Sequence, residues 1–292
     1  MDGSVSILGD RGVIELTGED VTTFLQRLIT NSVLDIPKGE SRYSALLTAQ
    51  GKLMFDFFVV PIPEGLEPGY LFDCLKVQTG DLIKRLNLHK MRAKVTITDK
   101  SGEFGVAAIL GGDTPAGIEG IAYRDTRAPG MGSRMIAPLA SLASTKDAGE
   151  AAYEAHRIAQ GVPKGGIDFS YGDTFVHDAN LDFVNGVDFK KGCYVGQEVV
   201  ARVHFRKSAR KRIVKVHFEG EPPARGTQIV AGETNIGQIG STSGADGLAM
   251  VRIDRLEEAR AAGQAIRAGD AALDVSVPPE FIAAAAGVEN RL

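Results

Sequence analysis

The chain has 292 residues, which is long for a single hydrophobic core and predicts two or three subdomains. With 43% apolar and 24% charged residues its composition is typical of a soluble globular protein, and a formal net charge of −4 argues against a dedicated nucleic-acid-binding protein. No apolar run approaches the roughly 18 residues that a membrane-spanning helix needs.

The first twelve residues, MDGSVSILGDRG, have neither the basic start nor the apolar segment of a secretory signal, and they lack the arginine-rich composition of a transit peptide. The chain has two cysteines, Cys74 and Cys193, and no C-x-x-C pair, so a disulfide framework is not expected. We therefore predict a cytoplasmic protein.

The N-terminal part mixes strand and helix patterns. Residues 12–18 (GVIELTG) predict a strand, and Thr17 and Asp20 after it have the spacing of a capping box. The helix predicted next places five apolar residues on one face: Val21, Phe24, Leu25, Leu28 and Ile29. Residues 41–62 predict two strands joined by a turn in which Gly51 takes a left-handed conformation.

The middle of the chain continues this mixture. Further strands are predicted in 67–76, 93–99 and 104–110, with a helix between the first two. Residues 111–135 are rich in Gly and Pro and predict loops with one short strand.

The pattern of predicted elements changes in the second half of the chain. A helix predicted over 147–160 is followed by 161–185, which shows no periodicity, and a loop of that length inside a compact protein is usually functional. Short strands with glycine turns then recur about every dozen residues and predict a small antiparallel barrel or sandwich. We place a domain boundary near residue 210, dividing the chain into 1–210 and 211–292, and predict an α+β protein with an appended all-β module.

Residues 190–198 (KKGCYVGQE) form the most distinctive pattern. The thiolate is the reactive and metal-binding form of cysteine, and neighbouring cations or a helix N-terminus favour it. Cys193 follows two lysines, and the residues after it predict a helix or a strand that opens near Gly196. A cysteine that only fills space is the alternative for Cys193, and packing is what the apolar neighbours of Cys74 predict.

A complete zinc or iron–sulfur site normally needs several ligands in one chain. The five histidines show no metal-ligand spacing: His89, His156, His177, His204 and His217. Cys193 is therefore predicted to hold no metal by itself, but to contribute one ligand to a cluster shared transiently with a partner, or to attack an electrophile. A pairing of Cys193 with His204 stays open.

The octet KGCYVGQE (191–198) resembles the signature of the YgfZ-type folate-binding proteins, a family tied to iron–sulfur cluster assembly. Segments on both sides of the octet resemble those around the signature in that family: 157–168, 179–189 and 201–214. Segments of the N-terminal half also resemble a relative of that family, the aminomethyltransferase T-protein of glycine cleavage: 24–33, 46–60 and 88–99. The resemblance covers nearly the whole chain.

This resemblance implies an aminomethyltransferase-like ring of three subdomains, the last a small antiparallel β-barrel, with tetrahydrofolate bound in a central channel. Asp56 falls where the aminomethyltransferase keeps its catalytic aspartate, and a carboxylate there can accept pterin N–H bonds or steer a proton. Asp178 falls near the family's Pro-x-Glu segment, which resembles the pterin anchor. Here Val176 replaces Pro, and Asp178, one methylene shorter, replaces Glu.

Three further residues complete the implied folate-binding set. Arg157 is a candidate partner for the folate carboxylates, with a surface salt bridge as the alternative. Tyr194 and Gln197 of the octet are the other two candidate folate-binding residues. The alternative for Asp56 is a charged residue on a strand beside a turn.

Three functions follow from these observations. The resemblance favours a tetrahydrofolate-binding accessory protein in the assembly or repair of Fe4S4-type enzymes, with Cys193 as its working thiol and with iron–sulfur carrier proteins and client apo-enzymes as partners. The alternatives are a folate-dependent aminomethyltransferase, which Asp56 favours and the octet disfavours, and a folate-binding module without chemistry. Whether the protein is an enzyme stays open. The basic run 204–212 is interpreted as a solvated linker first, as a site for a folate glutamate tail second, and as a nucleic-acid contact only third.

Overall fold

The computed structural model describes residues 3–115 and 117–285, and the chain divides into two compact units. The first unit consists of Met1–Leu47, Met54–Tyr153 and Phe183–Val195, and the second consists of Thr48–Leu53, Glu154–Asp182 and Gly196–Leu292. Each unit thus combines segments that are far apart in sequence. The division into domains 1–210 and 211–292 stays a prediction, and residues 286–292 lie outside the described part.

The helices and strands follow one another in a mixed order. They are β1 (Ser4–Ile7), β2 (Arg11–Thr17), α1 (Val21–Gln26), β3 (Arg42–Leu47), β4 (Leu53–Pro61), β5 (Gly69–Leu75), α2 (Thr79–Lys90), β6 (Thr96–Asp99), β7 (Phe104–Leu110), β8 (Ile121–Arg124), β9 (Ser133–Pro138), α3 (Leu139–Ala143), α4 (Glu150–Ala159), α5 (Gln197–Arg206), β10 (Lys211–Glu219), β11 (Gln228–Ala231), β12 (Thr234–Ser243), β13 (Asp246–Arg252), α6 (Ile253–Ala261), β14 (Ile266–Ala268), β15 (Ala271–Ser276) and α7 (Pro279–Ala285). Among the described residues, no helix is both long and apolar enough to cross a membrane.

One core of the first unit lies on a five-stranded sheet with the order β3-β4-β5-β2-β6. Strands β2, β4 and β5 are buried along most of their length, as their apolar sequences predict. Phe57 of β4 and Phe72 of β5 stack with their ring centroids 4.2 Å apart. Leu25 of α1 and Leu82 of α2 belong to the same buried cluster, so these helices bury their apolar stripes against the sheet.

The first helix is shorter than its apolar periodicity predicts. α1 ends at Gln26, although Leu28 and Ile29 beyond it are buried in the same cluster. The predicted capping box is wrong, because no side chain caps this helix and the Asp20 Oδ2 instead accepts a hydrogen bond of 2.8 Å from the Lys94 backbone N–H. Apolar spacing extends past the helix because the turn that follows packs on the same core.

A second, four-stranded antiparallel sheet of the first unit has the order β1-β7-β9-β8. Its core includes Val5, Ile109, Met135 and Leu142. The sequence predicted β7 and a short strand within 111–135, and that region holds β8 and the start of β9. The prediction missed β1, whose four residues are too few to show a period.

The second unit contains a closed antiparallel barrel, in which six strands follow the order β10-β13-β12-β11-β14-β15 and pairing of β15 with β10 completes the circle. β10 alternates between buried and exposed residues along its second half. Helices α6 and α7 add Leu256 and Phe281 to the barrel core. The predicted small barrel is therefore present, and closure leaves it no free sheet edge.

Between α4 and α5, residues 160–196 contain no helix and no named strand, although every residue there is described. The prediction of a long irregular segment is confirmed and extends eleven residues further than 185. Its first part, to Asp182, belongs to the second unit, and the part from Phe183 to Val195 belongs to the first. This segment carries most of the residues considered below.

Candidate functional site

Cys193 is exposed on the loop 183–195 of the first unit. Four residues later α5 begins at Gln197, after Gly196 in the left-handed conformation (φ 82°) that glycine adopts without steric cost. The residues after Cys193 thus open a helix, which is one of the two alternatives that the sequence left. The exposure of Cys193 contradicts the interpretation that this cysteine only fills space.

Residues directly after α1 hold this loop in place. The Thr30 hydroxyl donates to the Gly186 carbonyl at 2.6 Å, and the Thr30 carbonyl accepts the Asp188 N–H at 3.1 Å. The Asn31 side-chain amide donates to the Asn185 carbonyl at 2.8 Å. Because Thr30 and Asn31 are themselves buried, these bonds fix the start of the loop to the core of the unit.

Lys191 completes this attachment in the middle of the loop, two residues before the thiol. Its ammonium donates to the carbonyls of Ile29 and Asn31, both at 2.7 Å, and lies 5.5 Å from the centre of the Tyr194 ring. Burial lowers the pKa of Lys191 to about 8, and the neighbouring Asp188 carboxylate opposes that change. Of the two lysines that precede Cys193, Lys191 thus directs its charge at backbone carbonyls and anchors the loop, whereas Lys190 is exposed.

Cys193 lines a groove of about 490 Å³, whose other lining residues are Gln26, Arg27, Gly192, Tyr194 and Val195. Tyr194 is buried, and burial raises the pKa of its hydroxyl. The exposed guanidinium of Arg27 is the cation that the structure places in the same groove as the thiol. Sequence reasoning missed Arg27, which lies more than 160 residues earlier and carries no motif.

An exposed thiol in such a groove can do two kinds of chemistry. It can donate its sulfur to a metal ion, or it can attack an electrophile. A guanidinium beside it attracts anionic groups and pairs with carboxylates. The geometry therefore favours an encounter with a negatively charged partner or ligand at Cys193.

Asp56 is buried on β4 in the first unit and its Oδ2 accepts a hydrogen bond of 2.7 Å from the Tyr43 hydroxyl. Burial and the Asp56 carboxylate both raise the pKa of Tyr43. Arg127 lies over the Tyr43 ring, 5.5 Å from its centre. Asp56 thus lies on a strand that follows a turn, as its alternative interpretation stated, and its carboxylate is buried and hydrogen-bonded. Its predicted role in folate binding stays a prediction.

Asp178 is half-buried in the second unit and lines a cavity of about 560 Å³ together with Lys211, Arg225 and Arg255. Burial raises the pKa of Asp178 to about 6, although the positive charges of Lys211 and Arg212 oppose that change. The cavity offers both a proton donor or acceptor and cations to an anionic ligand. The predicted pterin contact of Asp178 stays a prediction.

Arg157 is fully buried in the second unit rather than placed in a surface salt bridge. Its Nη1 donates to Asp168 at 2.9 Å and to the Val162 carbonyl at 2.6 Å, and its Nη2 donates to Glu154 at 2.6 Å and to the Ser241 hydroxyl at 2.7 Å. These bonds join α4 to the barrel strand β12. Arg157 therefore has a structural role. To bind Arg157, a folate carboxylate would have to displace one of these hydrogen-bond partners.

The predicted site residues fall into separate groups. Cys193 and Tyr194 share one groove of the first unit, whereas Asp56 belongs to that unit but does not line the groove. Arg157, Asp178 and Gln197 belong to the second unit, where Gln197 is the half-buried first residue of α5.

Folding also gathers residues that the sequence kept apart. His177 and Asp182 of the long irregular segment and His204 of α5 each offer a ligand-type atom, and these three atoms lie within 4.8 Å of one another in the second unit. The spacings of five and 22 residues match no metal motif, so no sequence signal could have found this cluster.

Two family models match the chain, the GCVT N-terminal domain over residues 8–136 and the CAF17 C-terminal beta-barrel domain over residues 210–281. Mouse iron–sulfur cluster assembly factor IBA57, mitochondrial, is 31% identical over 284 residues, which cover 86% of this chain and 78% of the mouse protein. The chain belongs to the IBA57 family. The human IBA57 protein is also 31% identical, with the same coverage of both chains.

Fungal members of the family are longer. The IBA57 homologue of Coccidioides immitis is 36% identical over 72% of this chain, but the chain spans only 56% of that relative and 57% of the one from Mycosarcoma maydis. All of these relatives are named as mitochondrial proteins, so the prediction of a cytoplasmic location is wrong. A low cysteine count indicates a reducing environment, but it does not identify the compartment.

The fold is also that of a solved enzyme. Aminomethyltransferase T of the glycine cleavage system from Bartonella henselae superimposes with a TM-score of 0.74 over 96% of this chain and 87% of the enzyme, at 16% identity. This likeness confirms the predicted α+β, aminomethyltransferase-like fold with a terminal β-barrel. The narrower assignment to the YgfZ-type proteins stays a prediction.

Proposed function

We propose that this protein acts in iron–sulfur cluster assembly, the process that gives its IBA57 relatives their name, and that Cys193 is its working thiol. The observation that carries the proposal is the exposed Cys193 on a loop whose start and middle are anchored by Thr30, Asn31 and Lys191. The anchor positions the thiol, while its exposure lets a second protein reach it.

The proposed step is a ligand exchange. The Cys193 sulfur loses its proton and binds one iron of a cluster that a carrier protein presents, in place of one ligand of that carrier. No electron is transferred, and the displaced ligand takes up the proton. One cysteine is enough because the remaining ligands come from the carrier, and the carriers and client apo-enzymes are therefore the proposed partners.

A transfer assay tests the thiol. We expect Cys193→Ala to abolish the recovery of activity when a loaded carrier and this protein are mixed with an apo-enzyme that needs an Fe4S4 cluster. Cys74→Ala is the matched control, because it also removes one thiol but leaves the groove intact. Normal maturation with Cys193→Ala would show that the thiol role is wrong.

We further propose that tetrahydrofolate is the small-molecule ligand and that Asp56 contacts it. Support comes from the aminomethyltransferase-like fold and from the buried, hydrogen-bonded carboxylate of Asp56. Titration with a stable reduced folate is expected to show binding that Asp56→Asn weakens at least about tenfold, the worth of one charge-assisted hydrogen bond. Asp81→Asn, at an exposed site on α2, is the control. Equal affinity of all three proteins would contradict the assignment.

The fold alone also suggests the alternative of a one-carbon transferase. Production of methylene-tetrahydrofolate from an aminomethylated lipoyl carrier would support that activity, and it would depend on Asp56 but not on Cys193. The iron–sulfur proposal predicts the opposite dependence in the transfer assay. The same pair of variants therefore separates the two functions.

A further inference from the structure

His177, Asp182 and His204 of the second unit form a compact group of three metal-type ligands. One nitrogen or oxygen atom of each lies within 4.8 Å of the corresponding atoms of the other two. His177 and the Asp182 carboxylate are buried, while His204 is exposed in the last turn of α5. The two imidazole rings have their centroids 6.3 Å apart and are inclined by 29°.

We propose that these three side chains bind one divalent transition-metal ion of the class that prefers imidazole ligands, such as Zn²⁺, Fe²⁺ or Co²⁺. Two histidines and one carboxylate are a common ligand set for these ions. Three protein ligands leave a further coordination position for water or an incoming ligand. The site contains no residue of the first unit and does not depend on the function proposed for Cys193.

Backbone and side-chain bonds fix two of the three ligands. Arg212 at the start of β10 donates to the His177 carbonyl at 2.6 Å and to both carboxylate oxygens of Asp182, at 2.7 and 3.0 Å. Asn180 between them bonds the backbone of Ile213 in both directions, with its amide donating at 2.7 Å and its carbonyl oxygen accepting at 3.2 Å. The segment 177–182 is therefore held against β10.

The ion pair with Arg212 is compatible with metal binding. A carboxylate has about four lone-pair positions, and the guanidinium uses one on each oxygen, so each oxygen keeps one. Ligating carboxylates are commonly hydrogen-bonded from behind, which fixes their orientation. The arginine charge does, however, offset the negative charge of Asp182, so the two neutral imidazoles must supply much of the affinity. This condition favours zinc-like ions over Mg²⁺, which prefers oxygen ligands.

The three ligand atoms must move closer together to bind one ion, and the side chain of His204 is the one that can move. Ligand atoms around a tetrahedral ion with bonds of about 2.1 Å lie about 3.4 Å from one another. The three atoms here span up to 4.8 Å, so a movement of roughly 1 Å brings them into range. The exposed side chain of His204 can make this movement without disturbing the buried pair, whereas His177 and Asp182 stay where β10 holds them.

Titration of the metal-free full chain with Co²⁺ tests the proposal, because tetrahedral Co²⁺ has visible d–d absorption that reports its ligands. The Cys193→Ser variant serves as the background, so that no thiolate at that position contributes. We expect one equivalent of Co²⁺ to bind, Zn²⁺ to displace it, and millimolar Mg²⁺ to leave it in place. His204→Ala is expected to weaken binding at least about tenfold.

Matched variants show whether the effect is specific. His89→Ala removes another exposed histidine from the last turn of a helix and should leave Co²⁺ affinity unchanged. His177→Gln should weaken binding as His204→Ala does, and circular dichroism without metal shows that each variant is folded. Absence of binding in the Cys193→Ser background, or equal affinity of His204→Ala and His89→Ala, would overturn the proposal.

Discussion

The two cysteines of the first unit occupy opposite environments. Cys74 lies on β5 in the buried cluster of the five-stranded sheet, where burial raises the pKa of its thiol to about 12. Cys193 is exposed on an irregular loop that hydrogen bonds hold to the same unit. The comparison shows that a thiol on a buried strand is inaccessible to reagents. A thiol on an anchored loop, by contrast, is exposed to a partner. The burial of Cys74 thus confirms the packing role predicted for this residue.

The largest expected difference is in thiol reactivity. In the native protein Cys193 should react with a thiol reagent at least about 1,000-fold faster than Cys74, because Cys74 is reached only through opening events that cost several kcal/mol. Labelling followed by mass spectrometry of peptides gives both rates in one experiment. Denaturant should bring the two rates together, and comparable rates without it would remove the basis of the comparison.

A change beside Cys74 should have the next largest effect. The buried carboxylate of Asp73 accepts hydrogen bonds from Arg11 at 2.6 Å, from Arg134 at 2.7 Å and from the Tyr123 hydroxyl at 2.8 Å. Asp73→Asn leaves the buried guanidinium of Arg134 and the half-buried one of Arg11 without their carboxylate, so we expect the free energy of unfolding to fall by about 3–5 kcal/mol. Urea denaturation measures this loss, and labelling of Cys74 should become faster in parallel.

The pH dependence identifies the cause of that loss. Burial by itself would raise the pKa of Asp73, but Arg11 and Arg134 lower it overall. A lowered folded-state pKa means that the stabilisation is present at neutral pH and is lost as the pH falls through that value. Asp73→Asn should lack this acid-dependent loss. Asp81→Asn, which breaks an exposed pair with Lys84, should change stability by less than about 1 kcal/mol.

On the loop side of the comparison, Lys191→Met removes the donor to two buried carbonyls. We expect a loss of about 1–3 kcal/mol, since the carbonyls of Ile29 and Asn31 lose their partner. The folded-state pKa of Lys191, about 8, lies below its unfolded value, so the unfolded chain binds more protons between about pH 8 and 10.4. Wild-type stability should therefore rise with pH in this window relative to Lys191→Met.

Urea denaturation at several pH values from 7.5 to about 10 measures the difference between the two proteins. Lys190→Met, at the exposed neighbouring position, is the control and should follow the wild type. A difference that stays constant or shrinks as the pH rises would show that Lys191 does not titrate in this way.

The same contrast explains what the sequence could predict. β4 was predicted from a nearly continuous apolar run, and β10 from apolar residues that alternate with polar ones in its second half. β14 has only three residues, and the alternation of β15 covers only its last four, Leu273 to Ser276, so both are too short to show a period. Local pattern is therefore sufficient where a segment packs as a regular element on a core.

Site geometry depends on contacts that local pattern does not contain. The octet pointed to Cys193, but the bonds from Lys191 to Ile29 and Asn31 join residues about 160 positions apart. Arg157 stays a predicted ligand contact, but the sequence did not indicate that the fold buries it against Asp168 and Ser241. In such cases the residue type is visible in the sequence, whereas its partner is decided by the tertiary structure.

The smallest expected effect concerns Arg27 in the groove of Cys193. Its guanidinium should attract an anionic reagent, so Arg27→Ala should slow the reaction of Cys193 with a dianionic aromatic disulfide by about two- to fivefold at low ionic strength. The reaction with neutral iodoacetamide should change less, and salt should abolish the difference because exposed charges are screened. Arg92→Ala, exposed elsewhere in the unit, is the control. An equal slowing with both reagents would mean that Arg27 shapes the groove rather than its charge, and the attraction of anionic partners to this thiol would then need another source.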